Sequence, residues 1–151
     1  MRHTIAVLVE NQFGVLARIS GLFSGRGFNI DSLSVGETED ATVSRITIVV
    51  HGDDKVLEQI MKQLHKLIDV IKVSDLTQDE FIDRELALIK VEASSATRSE
   101  IIQIVDVFRG NILDVASSSL TIEVTGSEEK VQGMINLLRD FRIKEVVRSG
   151  K

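Results

Sequence analysis

Two consecutive βαββαβ units, an α+β architecture, are written into the apolar spacing of this chain. Short runs rich in Ile and Val alternate with apolar stripes of helical period, and this order occurs twice. Polar or glycine-bounded breaks separate the elements. The order is that of a split βαβ, or ferredoxin-like, unit, in which two helices pack on one face of a four-stranded antiparallel sheet.

In the first half, residues 4–9 set Ile5, Val7 and Val9 against Thr4, Ala6 and Leu8, the alternation of a strand. The turn Glu10-Asn11-Gln12-Phe13-Gly14 then opens a helix with an apolar stripe of Val15, Leu16, Ile19, Leu22 and Phe23, and Gly25-Arg26-Gly27 closes it. A second strand is predicted over 28–35, with Asn29 near its start. A polar hairpin follows over 36–40, and a third strand over 43–50 places Ile46, Ile48 and Val50 on one face. Gly52-Asp53-Asp54 caps a second helix carrying Leu57, Ile60, Met61, Leu64 and Ile68, and a short strand over 70–73 completes the unit.

The second half repeats the order. A strand is predicted over 86–91, and Thr97 with Glu100 fits a capping box ahead of Ile101, Ile104, Val105 and Phe108. Gly110 stops that helix, and strands are expected over 112–115 and 120–124. Ser127 caps a helix with Val131, Met134, Ile135 and Leu138, and 143–147 is the last strand. The junctions match as Arg26-Gly27-Phe28-Asn29-Ile30-Asp31 against Arg109-Gly110-Asn111-Ile112-Leu113-Asp114, so duplication of one unit is the preferred origin. The polar Thr77-Gln78-Asp79-Glu80 stretch divides a first domain, 1–77, from a second, 78–151. Units of about 70 residues bury little surface alone, and their open edge strands invite pairing, so a dimer is expected.

Composition narrows the function. A formal charge of -5 argues against a nucleic-acid surface, and the strand over 43–50 offers no aromatic for stacking on bases. No apolar run approaches the ~20 residues of a membrane span. The residues before the first strand are too few for a secretory signal, and the absence of Cys removes disulfides, thiolate nucleophiles and Cys-ligated zinc; a cytoplasmic setting is expected. With 4% aromatic residues, all Phe, the core must rest on Ile, Val and Leu.

No catalytic constellation appears. Asp53-Asp54 and Glu39-Asp40 read as caps and solvated loop, and Ser94-Ser95 and Ser117-Ser118-Ser119 as turns. His3, His51 and His65 lack metal-ligand spacing. The glycines of residues 21–27 fall within and after a helix, where a phosphate cradle needs them before one. An acylphosphatase on this fold would need an arginine in the first loop, and Glu10–Gly14 contain none.

What remains is a small-molecule sensor. Asn11 is read as an N-cap, Gly14 as a close-approach position at a helix start, and Asn29 as an amide on the adjacent strand. The three are expected at one location, because the first helix and second strand lie side by side. Gln59 could add an amide, and Leu8, Val15 or Val35 an apolar side pocket. Unpaired N–H groups at the helix start suit a small carboxylate.

The chain resembles the regulatory small subunits of acetohydroxyacid synthase, also called acetolactate synthase. The resemblance rests on Val7-Leu8-Val9-Glu10-Asn11, Gly14-Val15-Leu16-Ala17-Arg18, Gly21-Leu22-Phe23-Ser24, Arg26 through Leu33, Ser44-Arg45-Ile46-Thr47-Ile48 and Gln59 through Leu67, with Phe108-Arg109-Gly110 and Arg148-Ser149-Gly150 as later landmarks. It implies an N-terminal ACT domain followed by a second ferredoxin-like domain, in a homodimer made through the ACT domains. It further implies feedback inhibition by valine, or in some members leucine or isoleucine. The effector positions carried over are Asn11, Gly14, Val15, Asn29, Ile30, Ser34, Gly36 and Gln59, with Asn11 and Gly14 of one protomer facing Asn29 of the other. No catalytic residue and no cofactor of its own is implied. Thiamine diphosphate, Mg and FAD are expected on the catalytic large subunit, which condenses pyruvate with pyruvate or 2-oxobutyrate. Phe13 stands where Pro or Ser is more usual, Gly36 where Ala or another small residue is, and many relatives continue beyond the position of Lys151. A free-standing ACT sensor controlling some other protein is the alternative, and co-purification with the thiamine enzyme separates the two.

Overall fold

The computed structural model describes all 151 residues. The first half forms β1 (Arg2–Glu10), α1 (Val15–Ser24), β2 (Asn29–Glu37), β3 (Val43–His51), α2 (Asp54–Leu64) and β4 (Val70–Asp75). The second half forms β5 (Glu85–Glu92), α3 (Arg98–Val107), β6 (Asn111–Val115), β7 (Ser119–Gly126), α4 (Glu128–Leu138) and β8 (Ile143–Arg148). A single 3-10 turn, Arg139–Phe141, follows α4. Two antiparallel sheets result, ordered β2-β3-β1-β4 and β6-β7-β5-β8. The α+β class and the twofold βαββαβ order are therefore as the apolar periods predict. The chain divides into two compact units, Met1–Ile82 with Lys151, and Asp83–Gly150.

Each unit has its own core. Ile5, Val7 and Val9 of β1 and Ile46, Ile48 and Val50 of β3 face Val15, Ile19 and Phe23 of α1 and Leu57, Ile60 and Leu64 of α2. Each fully buried aliphatic side chain of this kind contributes about 1.5–3 kcal/mol. In the second unit Ala87, Ile89 and Val91 meet Ile122 and Val124 under α3 and α4, and all four predicted apolar positions of α4 are buried.

Helix starts follow local chemistry. Asp53 accepts from Lys55 N at 2.7 Å to cap α2, and Ser127 accepts from Lys130 N at 3.3 Å to cap α4. The predicted Thr97–Glu100 capping box does not form. Thr97 instead exchanges hydrogen bonds with Ser94, three residues earlier: Ser94 N donates to Thr97 Oγ1 at 3.0 Å, and Thr97 N to Ser94 Oγ at 3.3 Å. A hydroxyl thus takes the role expected of the carboxylate, one turn before the helix. Ile68 is a second correction. The last helical residue of α2 is Leu64, so Ile68 lies past the stripe and is 92% exposed.

The repeat is offset by one residue from the match seen in sequence. Phe28 N bonds Phe23 O at 3.0 Å as Gly110 N bonds Val105 O at 2.9 Å. Asn29 and Asn111 both start strands, and both strands bulge after the next Ile. Gly27, at φ +77, is therefore the counterpart of Arg109, at φ +55, and not of Gly110. Gly110 is glycine for another reason: a Cβ there would stand 2.9 Å from the Glu123 carbonyl oxygen. Replacing Gly110 with alanine should destabilise the second unit by ~1–3 kcal/mol, read in its urea midpoint, because the obstacle is backbone.

Candidate functional site

The first loop meets the β2–β3 hairpin at one end of the first sheet. Asn11 N donates to Thr42 O at 2.8 Å, and Asn11 Nδ2 donates to Ala41 O at 3.0 Å and Glu37 Oε1 at 3.1 Å. Asn11 is thus not the cap of α1. It fastens the loop to the hairpin, a role set by partners 26 and 30 residues away. Within the hairpin, Thr42 donates both its hydroxyl and its backbone N–H to Asp40 Oδ1, at 2.6 and 2.9 Å. These bonds hold the Asp40 carboxyl below its ordinary value of 3.8. A depressed folded-state value means the contribution is present above the unfolded value and is lost as pH falls through the folded one. Amide shifts of Thr42 should therefore move in acid, below pH 3.8.

The cap of α1 is Gly14 itself, left-handed at φ +79 and without a side-chain bond. No acidic residue stands in the first turn, so the N–H groups there carry an uncompensated positive field. Arg18 lies one turn on. Its Nη1 is 3.1 Å from the place a Gly14 Cβ would occupy, and Nε donates to Asp69 Oδ2 at 3.1 Å. Sequence reading missed Arg18 as a neighbour of Gly14, although the four-residue spacing marks it. Phe13 beside this turn is wholly exposed, and Leu16 and Val35 are partly so.

Val15 and Ile30 point inward. Val15 is buried in the core and Ile30 packs against it, so each offers a ligand only its backbone. Ser34 and Gly36 pair with Thr47 and Arg45, on the sheet face away from Leu33 and Val35. Nothing stands within 4 Å of a Cβ placed on Gly36. Gln59 is exposed on α2. Leu8 lies on the opposite sheet face from Val7 and Val9, so it cannot share a pocket with Val15.

The expected convergence of Asn11, Gly14 and Asn29 within one chain does not occur. Asn29 pairs with His51, which pairs with Arg2, whereas Glu37 bonds Asn11 at the other end of β2. Eight strand steps separate the two ends, about 26 Å. Helix and strand are indeed neighbours, but Gly14 begins the helix and Asn29 follows its end. At its own end Asn29 Nδ2 donates to Asp31 Oδ1 at 3.4 Å, and Asp31 pairs with His51.

No group of three or more His, Cys, Asp or Glu is placed to hold a metal ion, and no helix is long and apolar enough to cross a membrane.

Comparison with known proteins gives this geometry a setting. Residues 5–72 match the family described as AHAS small subunit-like ACT domain, and residues 84–151 that described as small subunit of acetolactate synthase. A probable acetolactate synthase small subunit of Archaeoglobus fulgidus is 57% identical, across 100% of this chain and 94% of its own. The acetolactate synthase small subunit of Aquifex aeolicus is 54% identical, across 99% of this chain and 79% of its own. The crystal structure of the Thermotoga maritima acetolactate synthase small subunit aligns at a TM-score of 0.88 and 43% identity, covering 99% of this chain and 94% of that one. With both halves matched and identity above one half over the full length, the chain belongs to the acetolactate synthase small subunits, the non-catalytic ACT-domain regulators of branched-chain amino acid biosynthesis.

Proposed function

We propose that this subunit activates the thiamine-diphosphate-dependent catalytic subunit of acetolactate synthase and makes it sensitive to a branched-chain amino acid, valine foremost. One observation carries the reading: β2 is an outer strand of nine residues with Asn29 at one end and Gly36, Glu37 and the Asn11–Gly14 loop at the other. An antiparallel pairing of β2 with β2 of a second copy, centred on Leu33, brings Asn29 of each protomer to the end of β2 where Glu37 of its partner lies. The 26 Å separation within one chain then becomes adjacency between two.

In that seam the effector carboxylate lies on the open N–H groups after Gly14, its ammonium meets Asn29 of the other protomer, and its side chain rests against apolar surface such as Val35. Ser34, Gly36, Val15 and Ile30 contribute through backbone. Gln59 is the most peripheral of the set. The helix-end field favours the anion by up to ~1 kcal/mol, more where partly buried. Because both protomers hold the ligand, occupancy favours one relative orientation of the two ACT units. It can bias the catalytic subunit only by its differential affinity for those orientations, typically ~1–3 kcal/mol. The first domain senses, and the second completes the subunit; thiamine diphosphate, Mg and FAD reside on the catalytic partner, in the cytoplasm.

Reconstitution with the catalytic subunit tests this. Asn29→His should raise the inhibitory valine concentration roughly tenfold or more, the size of a typical coupling, while leaving activation intact. Calorimetry with valine, leucine and isoleucine ranks the effectors, and sedimentation tests the dimer. Unchanged inhibition in the variant, or a monomer in saturating valine, refutes the seam.

A further inference from the structure

The flank of α2, away from the β2 edge, carries a second site. A cavity of about 460 Å³ opens between α2 and the adjoining ends of β1 and β4. Asp54, Glu58 and Asp75 line it with Leu57 and Met61, and the single lining lysine, Lys62, leaves carboxylates in excess. His3 also lines it, is 3% exposed, and has both ring nitrogens buried without a hydrogen-bond partner. Asp54 Oδ1 lies 3.1 Å from His3 Nε2, but off the line a hydrogen bond requires. Nδ1 has no partner at all. A buried, unpaired imidazole beside excess carboxylate is a costly arrangement that a donor-rich cation would relieve.

The second unit shows what fills this location. The β1–β4 register pairs Ile5 with Asp75, and the β5–β8 register pairs Ala87 with Arg148, so Asp75 and Arg148 are counterparts. Two residues before Ile5 stands His3, and two before Ala87 stands Glu85. The buried positions of α2 and α4 align Leu57 with Val131, Ile60 with Met134 and Leu64 with Leu138, which makes Glu58 the counterpart of Gln132. In the second unit Arg148 donates from Nε to Glu85 Oε1 at 3.1 Å and from Nη1 to Gln132 Oε1 at 3.0 Å. There the chain's own guanidinium bridges strand and helix. In the first unit a carboxylate replaces that arginine, the cation is missing, and the space is open.

We propose that this cavity binds a small organic cation, a guanidinium or primary ammonium on a short aliphatic tail. The cationic head takes the place that the Arg148 guanidinium holds in the second unit, among Glu58, Asp75 and Asp54, and lies against the His3 ring. The tail lies on Leu57 and Met61. The volume lies within the range of small-ligand pockets. Asp75 keeps one oxygen occupied by Thr77 N at 3.0 Å, which orients the carboxylate.

Titration of the full-length protein with propylguanidinium, followed by NMR at the His3 ring and the Met61 methyl, tests the proposal. Butyrate, of similar length and opposite charge, is the control. Propylguanidinium should give saturable shifts at both probes in the millimolar range, and butyrate none. Glu58→Gln, at an exposed position, should weaken the cation about tenfold. Asp75→Arg, which supplies the missing guanidinium in cis, should abolish binding and raise thermal stability. Absence of saturable shifts, equal response to butyrate, or undiminished binding in Glu58→Gln overturns the site, whatever becomes of Asp75→Arg. None of these readouts depends on valine or on the dimer.

Discussion

Replacing Gly52 with alanine should lower the melting temperature of the first unit by ~10–20 °C, the shift expected for ~2–3 kcal/mol in a domain of this size. A Cβ at Gly52 would sit 1.8 Å from Phe28 Cε1 and 2.4 Å from Cδ1 and Cζ, far inside contact distance. The ring cannot simply withdraw. It is 6% exposed and stands edge-on to Phe23, centroids 6.3 Å apart at 90°, and Phe23 is completely buried. The conflict therefore spreads into the core or into the start of α2. Phe28→Leu supplies the diagnostic: in that background the added methyl should cost much less, a coupling of contacting residues read in a double-mutant cycle. A melting temperature within about 2 °C of the parent would show that the ring moves freely, against the packing described.

Arg148→Met should destabilise the second unit by ~2–3 kcal/mol, below the ~3–5 kcal/mol of a fully buried pair because the arginine retains partial exposure. Glu85 is 6% exposed, and Arg148 is its cationic partner. Removal strands a buried carboxylate and also frees Gln132 Oε1, which accepts from Nη1. The expected signature is in the double variant. Glu85→Leu with Arg148→Met should recover most of the loss, since replacing both members of a buried pair by apolar groups is often nearly neutral. Urea unfolding of the four proteins measures it. A double variant as unstable as Arg148→Met alone would assign the effect to packing of the arginine stem instead.

The two effects mark what sequence reading could and could not reach. Strand alternation and helical stripes are local, so the order of elements, the facing of Ile46, Ile48 and Val50, and the four buried positions of α4 are legible from spacing alone. Interactions closed by the tertiary fold are not. Asn11 looks like a cap because its neighbours are a helix start; only the folded hairpin brings Ala41 and Glu37 to it. Glu85, Gln132 and Arg148 come from three separate elements, and nothing in their spacing announces the contact. The separation of Gly14 from Asn29 is of the same kind. Adjacency of the two elements follows from their order, but running direction decides which ends meet, and the apolar pattern carries no information on direction. The one-residue offset at the junction arises because Gly27 and Gly110 look alike in sequence while answering different demands, one a left-handed turn and the other a backbone crossing.

Because each unit carries a whole core of its own, heating this subunit should act on two bodies, so that two midpoints rather than one are expected in its unfolding. Damage such as the Gly52 substitution would then create a half-melted species whose second unit is still native. Inside a cell, that hybrid would offer proteases an opened first unit on an otherwise intact subunit, so a lesion confined to sensing could be registered as lost abundance.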